Sequence, residues 1–220
     1  NEDDPAEVEQ DCAKCHSTPG YLDFLGLDGT DAGVVDNPAP VGTVVSCAAC
    51  LNSATMAMDA VTFPSGDTVT GLGKSARCMQ CHQGRQSTVS LDSAIETAAV
   101  GDDDVSEELG FKNVHYFAAG ATLYGGEVRG GYQYADKYYD GKFDHEMEYE
   151  SCNKCHNVHS LEVQVAQCSQ CHAGANDLAA VEEIRMAGSF VDFDGDDAEE
   201  GIKGEIEGLQ EKLFAALQAY

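Results

Sequence analysis

Hydrophobic positions recur at helical spacing near the C-terminus of the chain. Over residues 198–219, apolar side chains return every three or four positions, which predicts an amphipathic helix. These side chains are Ile202, Ile206, Leu209, Leu213, Phe214 and Leu217. Gly201, Gly204 and Gly208 weaken the prediction because glycine is a poor helix former. A helix that packs through its apolar face explains the pattern better than a membrane anchor does.

Earlier in the chain the hydrophobic pattern is broken into short segments. Residues 111–123 predict a short helix that carries His115 and ends at a Gly-Gly pair. Residues 61–66 predict an extended stretch, and residues 132–143 resemble a small hairpin with an Asp-Gly turn. The predicted fold class is therefore mainly irregular coil with short α-helices, little β-structure and a C-terminal amphipathic helix.

All ten cysteines fall into five Cys-x-x-Cys pairs, and in four pairs a histidine follows at once. The four motifs are Cys12-Ala-Lys-Cys15-His16, Cys78-Met-Gln-Cys81-His82, Cys152-Asn-Lys-Cys155-His156 and Cys168-Ser-Gln-Cys171-His172. Two thiols at this spacing reach the two vinyl groups of one porphyrin as thioethers, and the adjacent histidine then binds the iron from the proximal side. The sequence therefore predicts four covalently bound c-type haems.

Zinc ribbons and secreted disulfide frameworks also use the Cys-x-x-Cys spacing. Neither explains a histidine directly after the second cysteine in four of five pairs, because zinc sites normally place the histidine after a longer spacer. Haem attachment is therefore the better interpretation of the motifs.

The fifth pair, Cys47 and Cys50, is followed by Leu51, which cannot bind iron. Three states remain open for this pair: a haem held by thioethers without a proximal histidine, a local disulfide, or two reduced thiols. We favour no haem here, so the expected count is four haems and the alternative is five.

Three histidines lie outside the motifs and are candidate distal iron ligands: His115, His145 and His159. His159 stands three residues after His156, so we expect it to reach a neighbouring haem. Three distal histidines cannot complete four irons, so one iron takes a methionine, stays open or is served from outside this sequence. The candidate methionines are Met56, Met58, Met147 and Met186, although each is more readily explained as flexible core filler. An open iron would permit substrate chemistry.

The motifs divide the chain into three predicted segments. Residues 1–110 form an N-terminal haem-binding lobe, residues 111–180 form a second lobe with two crowded motifs, and residues 181–220 form an acidic loop and the amphipathic helix. The acidic run over 101–110 is the predicted boundary between the lobes. With few long apolar runs, the core must take much of its apolar volume from porphyrin faces, and the haem-free chain should be largely unfolded.

The chain carries 39 acidic and 12 basic residues, for a formal net charge of −27. Nucleic acid and anionic membrane surfaces are therefore poor partners. The charge serves solubility, or it lowers the reduction potentials of the irons by favouring the ferric state. We predict no membrane insertion, because no apolar run approaches the roughly 20 residues that a bilayer requires.

An alternation of carboxylates near residue 194 gives a second candidate metal site. Asp192, Asp194 and Asp196 have the spacing of the first three ligands of a calcium loop. Asp197 stands where such loops need glycine, and Lys203 stands where they need a bidentate glutamate. A solvated acidic turn that caps the following helix is the favoured alternative.

Several segments together resemble a family of secreted multihaem c-type cytochromes from metal-respiring and related prokaryotes. They are Cys47-Ala-Ala-Cys50-Leu51-Asn52, Val61-Thr-Phe-Pro-Ser-Gly66, Ala76-Arg-Cys78-Met-Gln-Cys81-His82-Gln-Gly-Arg85, Asn113-Val-His115-Tyr116, Gly141-Lys-Phe-Asp-His145 and Cys152 through Val163. The similarity extends over most of residues 12–220. It implies that His115, His145 and His159 are distal ligands and that the protein moves electrons. Relatives would carry histidine where Leu51 stands and would continue beyond Tyr220.

The leading prediction is an electron carrier rather than an enzyme, with closely spaced, mostly bis-histidine haems. Covalent haem attachment takes place outside the cytoplasm, so we expect an extracellular or cell-surface protein, with the periplasm as the alternative. The expected partners are other cytochromes, an extracellular electron acceptor, or further copies in a filament of the kind some such cytochromes form. The rival prediction is a multihaem reductase of a small oxyanion at an open iron.

Overall fold

The structure, a computed structural model, describes residues 6–42, 44–101, 103–146, 148–186 and 188–220. It consists of helices and coil with little strand, which confirms the coarse fold class predicted from the sequence. The chain forms two compact units, Asn1–Ser151 and Cys152–Tyr220. The boundary predicted over 101–110 lies inside the first of these units.

Two short helices that pack closely begin the first unit. α1 (Gln10–His16) and α2 (Thr18–Phe24) are separated by Ser17, whose extended backbone ends one helix and begins the other. Ala13 of α1 is fully buried, and Gly20 of α2 lies directly against its backbone. Beside these helices, β1 (Glu7–Val8) pairs antiparallel with β2 (Ala39–Pro40).

A β-hairpin and the helix that follows it form the apolar centre of the first unit. After α3 (Cys47–Cys50) and α4 (Ser53–Ala57), β3 (Ala60–Thr62) pairs antiparallel with β4 (Thr68–Thr70). The extended stretch predicted over 61–66 is thus the end of a strand and the turn that follows it. One turn of 3₁₀ helix, Gly73–Ser75, leads into α5 (Ala76–His82). The larger buried apolar side chains are Val61, Phe63, Leu72, Met79, Tyr124 and Val128.

The helix predicted over 111–123 is wrong in its first part. After α6 (Thr88–Ala98), residues 111–118 are irregular and α7 spans only Ala119–Tyr124. His115 and Phe117 have φ angles of 85° and 53°, which an α-helix excludes. The side-chain oxygen Oδ1 of Asn113 accepts a hydrogen bond from the backbone N–H of His115 (2.8 Å) and holds this turn.

The hairpin predicted over 132–143 is also wrong, because this segment contains no strand. Its backbone bonds instead to the region of Gly125–Glu127, a single 3₁₀ turn. The N–H of Gly126 donates to the carbonyl of Asp140 (2.5 Å), and the N–H of Phe143 donates to the carbonyl of Leu123 (2.7 Å). Side chains at the Gly-Gly pair would collide with these carbonyls, so the glycines permit the close approach.

The second unit contains four helices among its described residues: α8 (Cys152–Cys155), α9 (Val165–Cys168), α10 (Leu178–Glu182) and α11 (Ile202–Ala219). The C-terminal helix predicted over 198–219 is present as Ile202–Ala219, but its predicted packing through an apolar face is wrong. The six apolar side chains of that face are all 45–65% exposed, and the buried residue of the helix is Glu205. Arg185 and Glu205 form an ion pair (Nη1–Oε1 2.7 Å), and their side chains are 13% and 2% exposed. Glu205 also accepts a hydrogen bond from the backbone N–H of Phe193 (2.7 Å), so it ties the preceding loop to α11.

The glycines that weaken the helical pattern of α11 are positions of close approach. A methyl group at Gly201 would overlap the backbone of Glu183, one at Gly204 would overlap the carboxylate of Glu200, and one at Gly208 would overlap that of Asp194. Packing therefore overrides helix propensity at these positions. No helix in the described part of the chain is long and apolar enough to cross a membrane.

The apolar core is small for a chain of 220 residues. In the described part of the second unit, Ala175 is the one fully buried hydrophobic residue. Across the chain, large apolar side chains remain more than half exposed, among them Phe111, Phe117, Phe143, Leu161 and Phe190. The polypeptide alone therefore leaves much of its apolar surface uncovered.

We predict that Gly20→Ala lowers the free energy of unfolding by about 1–3 kcal/mol. A methyl group there would lie 2.5 Å from the carbonyl oxygen of Ala13, and a backbone atom cannot rotate away. This overlap outweighs the gain in helix propensity of about 1 kcal/mol. Urea unfolding of the purified protein measures the effect. Gly110→Ala is the control, because no atom lies within 4 Å of its added methyl group. Equal stability of the two variants would contradict the close packing of α1 on α2.

Candidate haem-binding sites

Each Cys-x-x-Cys-His motif is built on a helical turn. The first motif lies in α1, the second in α5, and the third and fourth begin in α8 and α9. Residues i, i+3 and i+4 share one face of a helix, so each turn directs two thiols and one imidazole to the same side. In the last two motifs the backbone N–H of the histidine, His156 or His172, donates to the carbonyl of the first cysteine (2.9 Å in both).

The fifth pair forms the same turn without the imidazole. α3 spans Cys47–Cys50, and the N–H of Leu51 donates to the carbonyl of Cys47 (2.8 Å). Leu51 thus occupies the backbone position that His156 and His172 occupy in their motifs. Its side chain is 69% exposed. The turn is therefore preserved, and only the iron ligand is missing.

The first two motifs lie side by side. α1 packs against α5, and the thiols of Cys15 and Cys81 are within hydrogen-bonding distance of each other. The thiol of Cys15 also lies 3.9 Å from the carbonyl oxygen of Gln80. The first two motifs are therefore neighbours, although they lie far apart in the sequence.

The contact between the two thiols moves their pKa values in opposite directions. The hydrogen bond from Cys81 lowers the pKa of Cys15 to about 7, against the effect of burial, and the positive charges of Lys14 and Arg85 lower it further. The same hydrogen bond, together with burial, raises the pKa of Cys81. Because the thiolate is the reactive form of cysteine, Cys15 is the more reactive thiol of the pair before haem attachment.

A cavity of about 300 Å³ opens between the two motifs. The thiols of Cys12, Cys15 and Cys81 line it, together with the imidazoles of His16 and His115. The ring centres of the two histidines are 5.9 Å apart and their planes are inclined by 81°. The structure thus brings one predicted distal histidine to the proximal histidine of the first motif. Apolar wall atoms come from Phe63 and Pro64.

Two of the proximal histidines are oriented by backbone carbonyls. Nδ1 of His82 lies 2.7 Å from the carbonyl oxygen of Phe117, and Nδ1 of His156 lies 3.0 Å from that of Leu161. A carbonyl oxygen can only accept, so Nδ1 carries the proton and donates it. The neutral ring then offers the lone pair of Nε2, which is the arrangement of a metal-binding histidine.

These two carbonyl contacts could not be predicted from the sequence, because every residue has a backbone carbonyl. Phe117 and Leu161 are both in the left-handed region, with φ of 53° and 64°, and this conformation turns their carbonyls toward the histidines. The one available signal is the repetition of Asn-Val-His two residues before each of them.

None of the other candidate ligands among the described residues lines this cavity. His145 stacks edge-on near Tyr149, with ring centres 6.4 Å apart, and His159 lies on the surface. Met56 and Met186 are exposed, and the sulfur of Met56 lies 3.7 Å from Nη1 of Arg77. Met147 lies outside the described residues. Iron binding by Met58 and by these residues therefore stays a prediction.

The predicted calcium loop forms an acidic turn. Oxygen atoms of Asp192, Asp194 and Glu205 lie within 4.8 Å of one another, and Asp196 is not part of this group. Asp192 accepts backbone hydrogen bonds from Asp196 (3.2 Å) and Asp197 (2.9 Å), as in a turn closed by its own side chain. Calcium binding stays a prediction, since the carboxylate of Glu205 is already bonded to Arg185.

We predict that Leu51→His adds one haem to each chain. The turn at Cys47 and Cys50 already matches the haem motifs, and the substitution supplies the absent proximal ligand at an exposed position. Haem per chain, quantified as the pyridine haemochrome, should rise from four to five. Leu51→Gln is the matched control and should leave the count at four. A wild-type count of five, or no rise in the histidine variant, would contradict the prediction.

The chain matches no protein-family model, no curated protein and no solved structure.

Proposed function

We propose that this protein is a multihaem c-type cytochrome that carries single electrons outside the cytoplasm, to an extracellular acceptor or to another cytochrome. The observation that carries the proposal is the pair of facing imidazoles, His16 and His115, on the wall of a cavity that the thiols of Cys12 and Cys15 also line. One haem centre needs two thiols for attachment and two imidazoles as iron ligands, and these four side chains would supply them.

The spacing of the two imidazoles fits a shared metal. A metal lies about 2 Å from a bound imidazole nitrogen, and that nitrogen lies about 1 Å from the ring centre. Two rings on opposite sides of one metal therefore have centres about 6 Å apart. The distance between His16 and His115 is 5.9 Å.

The chain's own residues would perform three tasks at such a centre. In the four Cys-x-x-Cys-His motifs the thiol pair would tether the cofactor, and these thiols are free to do so. The imidazole after each pair binds the iron from one side, and a carbonyl fixes its tautomer at His82 and His156. A second imidazole closes the other side and leaves no position for a substrate. When bound, haem iron supplies one-electron redox chemistry.

Uncovered apolar surface gives independent support. The second unit carries two motifs, yet among its described residues only Ala175 is a fully buried hydrophobic. Phe117 and Leu161, which orient the proximal histidines, are themselves 84% and 59% exposed. Flat apolar cofactor faces would cover such side chains and supply the missing burial.

The partners and location follow from the same proposal. Covalent haem attachment outside the cytoplasm makes the protein extracellular or bound at the cell surface, with the periplasm as the alternative. A net charge of −27 disfavours nucleic acid and anionic membranes as partners. Assembly into a filament of identical copies is a further proposal. Electron microscopy of the native protein tests it, and purely monomeric particles would contradict it.

The rival function is reduction of a small oxyanion at an open iron. Its basis is the histidine count, because three spare imidazoles cannot serve four irons. An electron carrier should show only low-spin ferric haem and should not bind cyanide or nitrite. A high-spin signal in the wild-type protein that disappears when nitrite binds would favour the reductase.

We predict that His115→Ala converts one of the four irons from low-spin to high-spin, because it removes the imidazole that faces His16. Electron paramagnetic resonance of the oxidised protein measures the change, and cyanide should bind to the new high-spin iron. Tyr116→Phe is the control, since Tyr116 is the exposed neighbour of His115 and should keep the wild-type spectrum. A histidine variant with an unchanged, fully low-spin spectrum would overturn the assignment of His115.

A further inference from the structure

Two segments of the chain share one sequence pattern. Residues 113–117 read Asn-Val-His-Tyr-Phe and residues 157–161 read Asn-Val-His-Ser-Leu. We name them connector 1 and connector 2. Connector 1 lies in the first compact unit and connector 2 in the second.

The two connectors also share two local features, although His115 is left-handed (φ 85°) and His159 is not. In each, Oδ1 of the asparagine accepts a hydrogen bond from the N–H of the histidine two residues later, at 2.8 Å for Asn113 and 2.9 Å for Asn157. In each, the last residue is left-handed, with φ of 53° at Phe117 and 64° at Leu161. Side chains rarely adopt this conformation, so the repetition indicates a common requirement.

That requirement is the contact with a proximal histidine. The last carbonyl of connector 1 accepts from Nδ1 of His82, and that of connector 2 accepts from Nδ1 of His156. The sequence separations differ, at 35 residues and 5 residues. Two different chain paths, one long-range and one local, therefore reach the same contact.

Connector 1 also touches a second motif through its own histidine. The imidazole of His115 faces His16, which belongs to the first motif, while the carbonyl of Phe117 holds His82 of the second. The same two motifs are joined by the contact between the thiols of Cys15 and Cys81. One five-residue segment thus links two neighbouring motifs.

The second unit repeats this arrangement of neighbouring motifs. α8, with the third motif, packs against α9, where the fourth begins. The N–H of Gln164, just before α9, donates to the carbonyl of Cys155 (2.7 Å). Connector 2 holds His156 of the third motif, as connector 1 holds His82 of the second. By this analogy the fourth motif corresponds to the first, and His172 corresponds to His16.

We infer that each connector serves two haems: its histidine is the distal ligand of one iron, and its last carbonyl orients the proximal histidine of the next. His159 is accordingly the distal ligand of the iron whose proximal ligand is His172. Asn113 and Asn157 are positioning residues that hold the turn. The inference rests on the proposed function, since it assigns roles at haem centres.

The hydrogen bond from Nδ1 to a carbonyl has an electronic consequence. It makes the imidazole a stronger donor, which stabilises ferric iron and lowers the reduction potential. The carbonyl cannot be removed by substitution, but the asparagine that sets its direction can. Loss of Asn157 should therefore raise the potential of the haem bound by His156.

The first experiment replaces the asparagines in the secreted holoprotein. Asn157→Ala should shift the ferric–ferrous equilibrium of one haem toward the reduced state by roughly tenfold, about 59 mV for one electron. Asn157→Asp keeps an oxygen acceptor and should restore the wild-type potential, and Asn113→Ala should shift a different haem. Ser160→Ala is the control, because Ser160 lies at a position where the connectors differ and its backbone is unchanged by the substitution. Spectroelectrochemical titration measures all four. Unchanged potentials in both alanine variants would overturn the role of the asparagines.

The second experiment assigns His159. His159→Gly should make one iron high-spin, and added imidazole should return it to low-spin. The same substitution in a Cys168→Ala, Cys171→Ala background, which removes the fourth haem, should change no spin state. A new high-spin iron in that background would overturn the assignment to the fourth motif. If the background does not accumulate, His172→Met marks the fourth haem spectrally, and only that marked signal should respond to His159→Gly.

Haem absorbance of the wild-type protein distinguishes failure of the proposed function from failure of the inference about the connectors. A secreted protein without haem would overturn the proposed function and the connector together. If the protein carries four haems but its asparagine and His159 variants behave as the wild type, only the role inferred for the connectors is overturned.

Discussion

The rest of this protein depends on the helical turn that places two thiols and one imidazole on one face. The turn occurs at four Cys-x-x-Cys-His motifs and is preserved at a fifth pair, where Leu51 replaces the imidazole. Because residues i, i+3 and i+4 of a helix share one side, four short turns are enough to define the four attachment sites that we propose. Little regular structure is needed beyond them, which agrees with the short helices and extensive coil.

Such a chain must obtain its stability from what the turns hold. Small domains are stable only when they bury enough apolar surface, and the described part of the second unit fully buries a single hydrophobic residue, Ala175. Exposed aromatic and aliphatic side chains close to the motifs, such as Phe117 and Leu161, are the natural contacts of flat apolar cofactors. Under the proposed function, folding and cofactor attachment would be one process.

Features that depend on particular residue types could be predicted from the sequence. Features that depend on the direction of the backbone could not. The motifs, the C-terminal helix and the coil-rich fold class could be predicted. The helix proposed over 111–123 could not, because φ of 85° at His115 serves the loop that meets His16 and His82. The hairpin over 132–143 failed because the carbonyl of Asp140 accepts from Gly126 and the N–H of Phe143 donates to Leu123. No residue type marks the carbonyls of Phe117 and Leu161 that contact the histidines. The glycines of α11 mark positions of close contact rather than a weak helix.

The central claim is that four motifs each hold one covalent haem and that the Leu51 pair holds none. Intact mass spectrometry of the secreted wild-type protein under denaturing conditions, followed by peptide mapping, tests it most directly. The account predicts the polypeptide mass plus four haems, with one haem on each peptide that contains His16, His82, His156 or His172. A mass without haem, or haem on the peptide that contains Cys47 and Cys50, would contradict it.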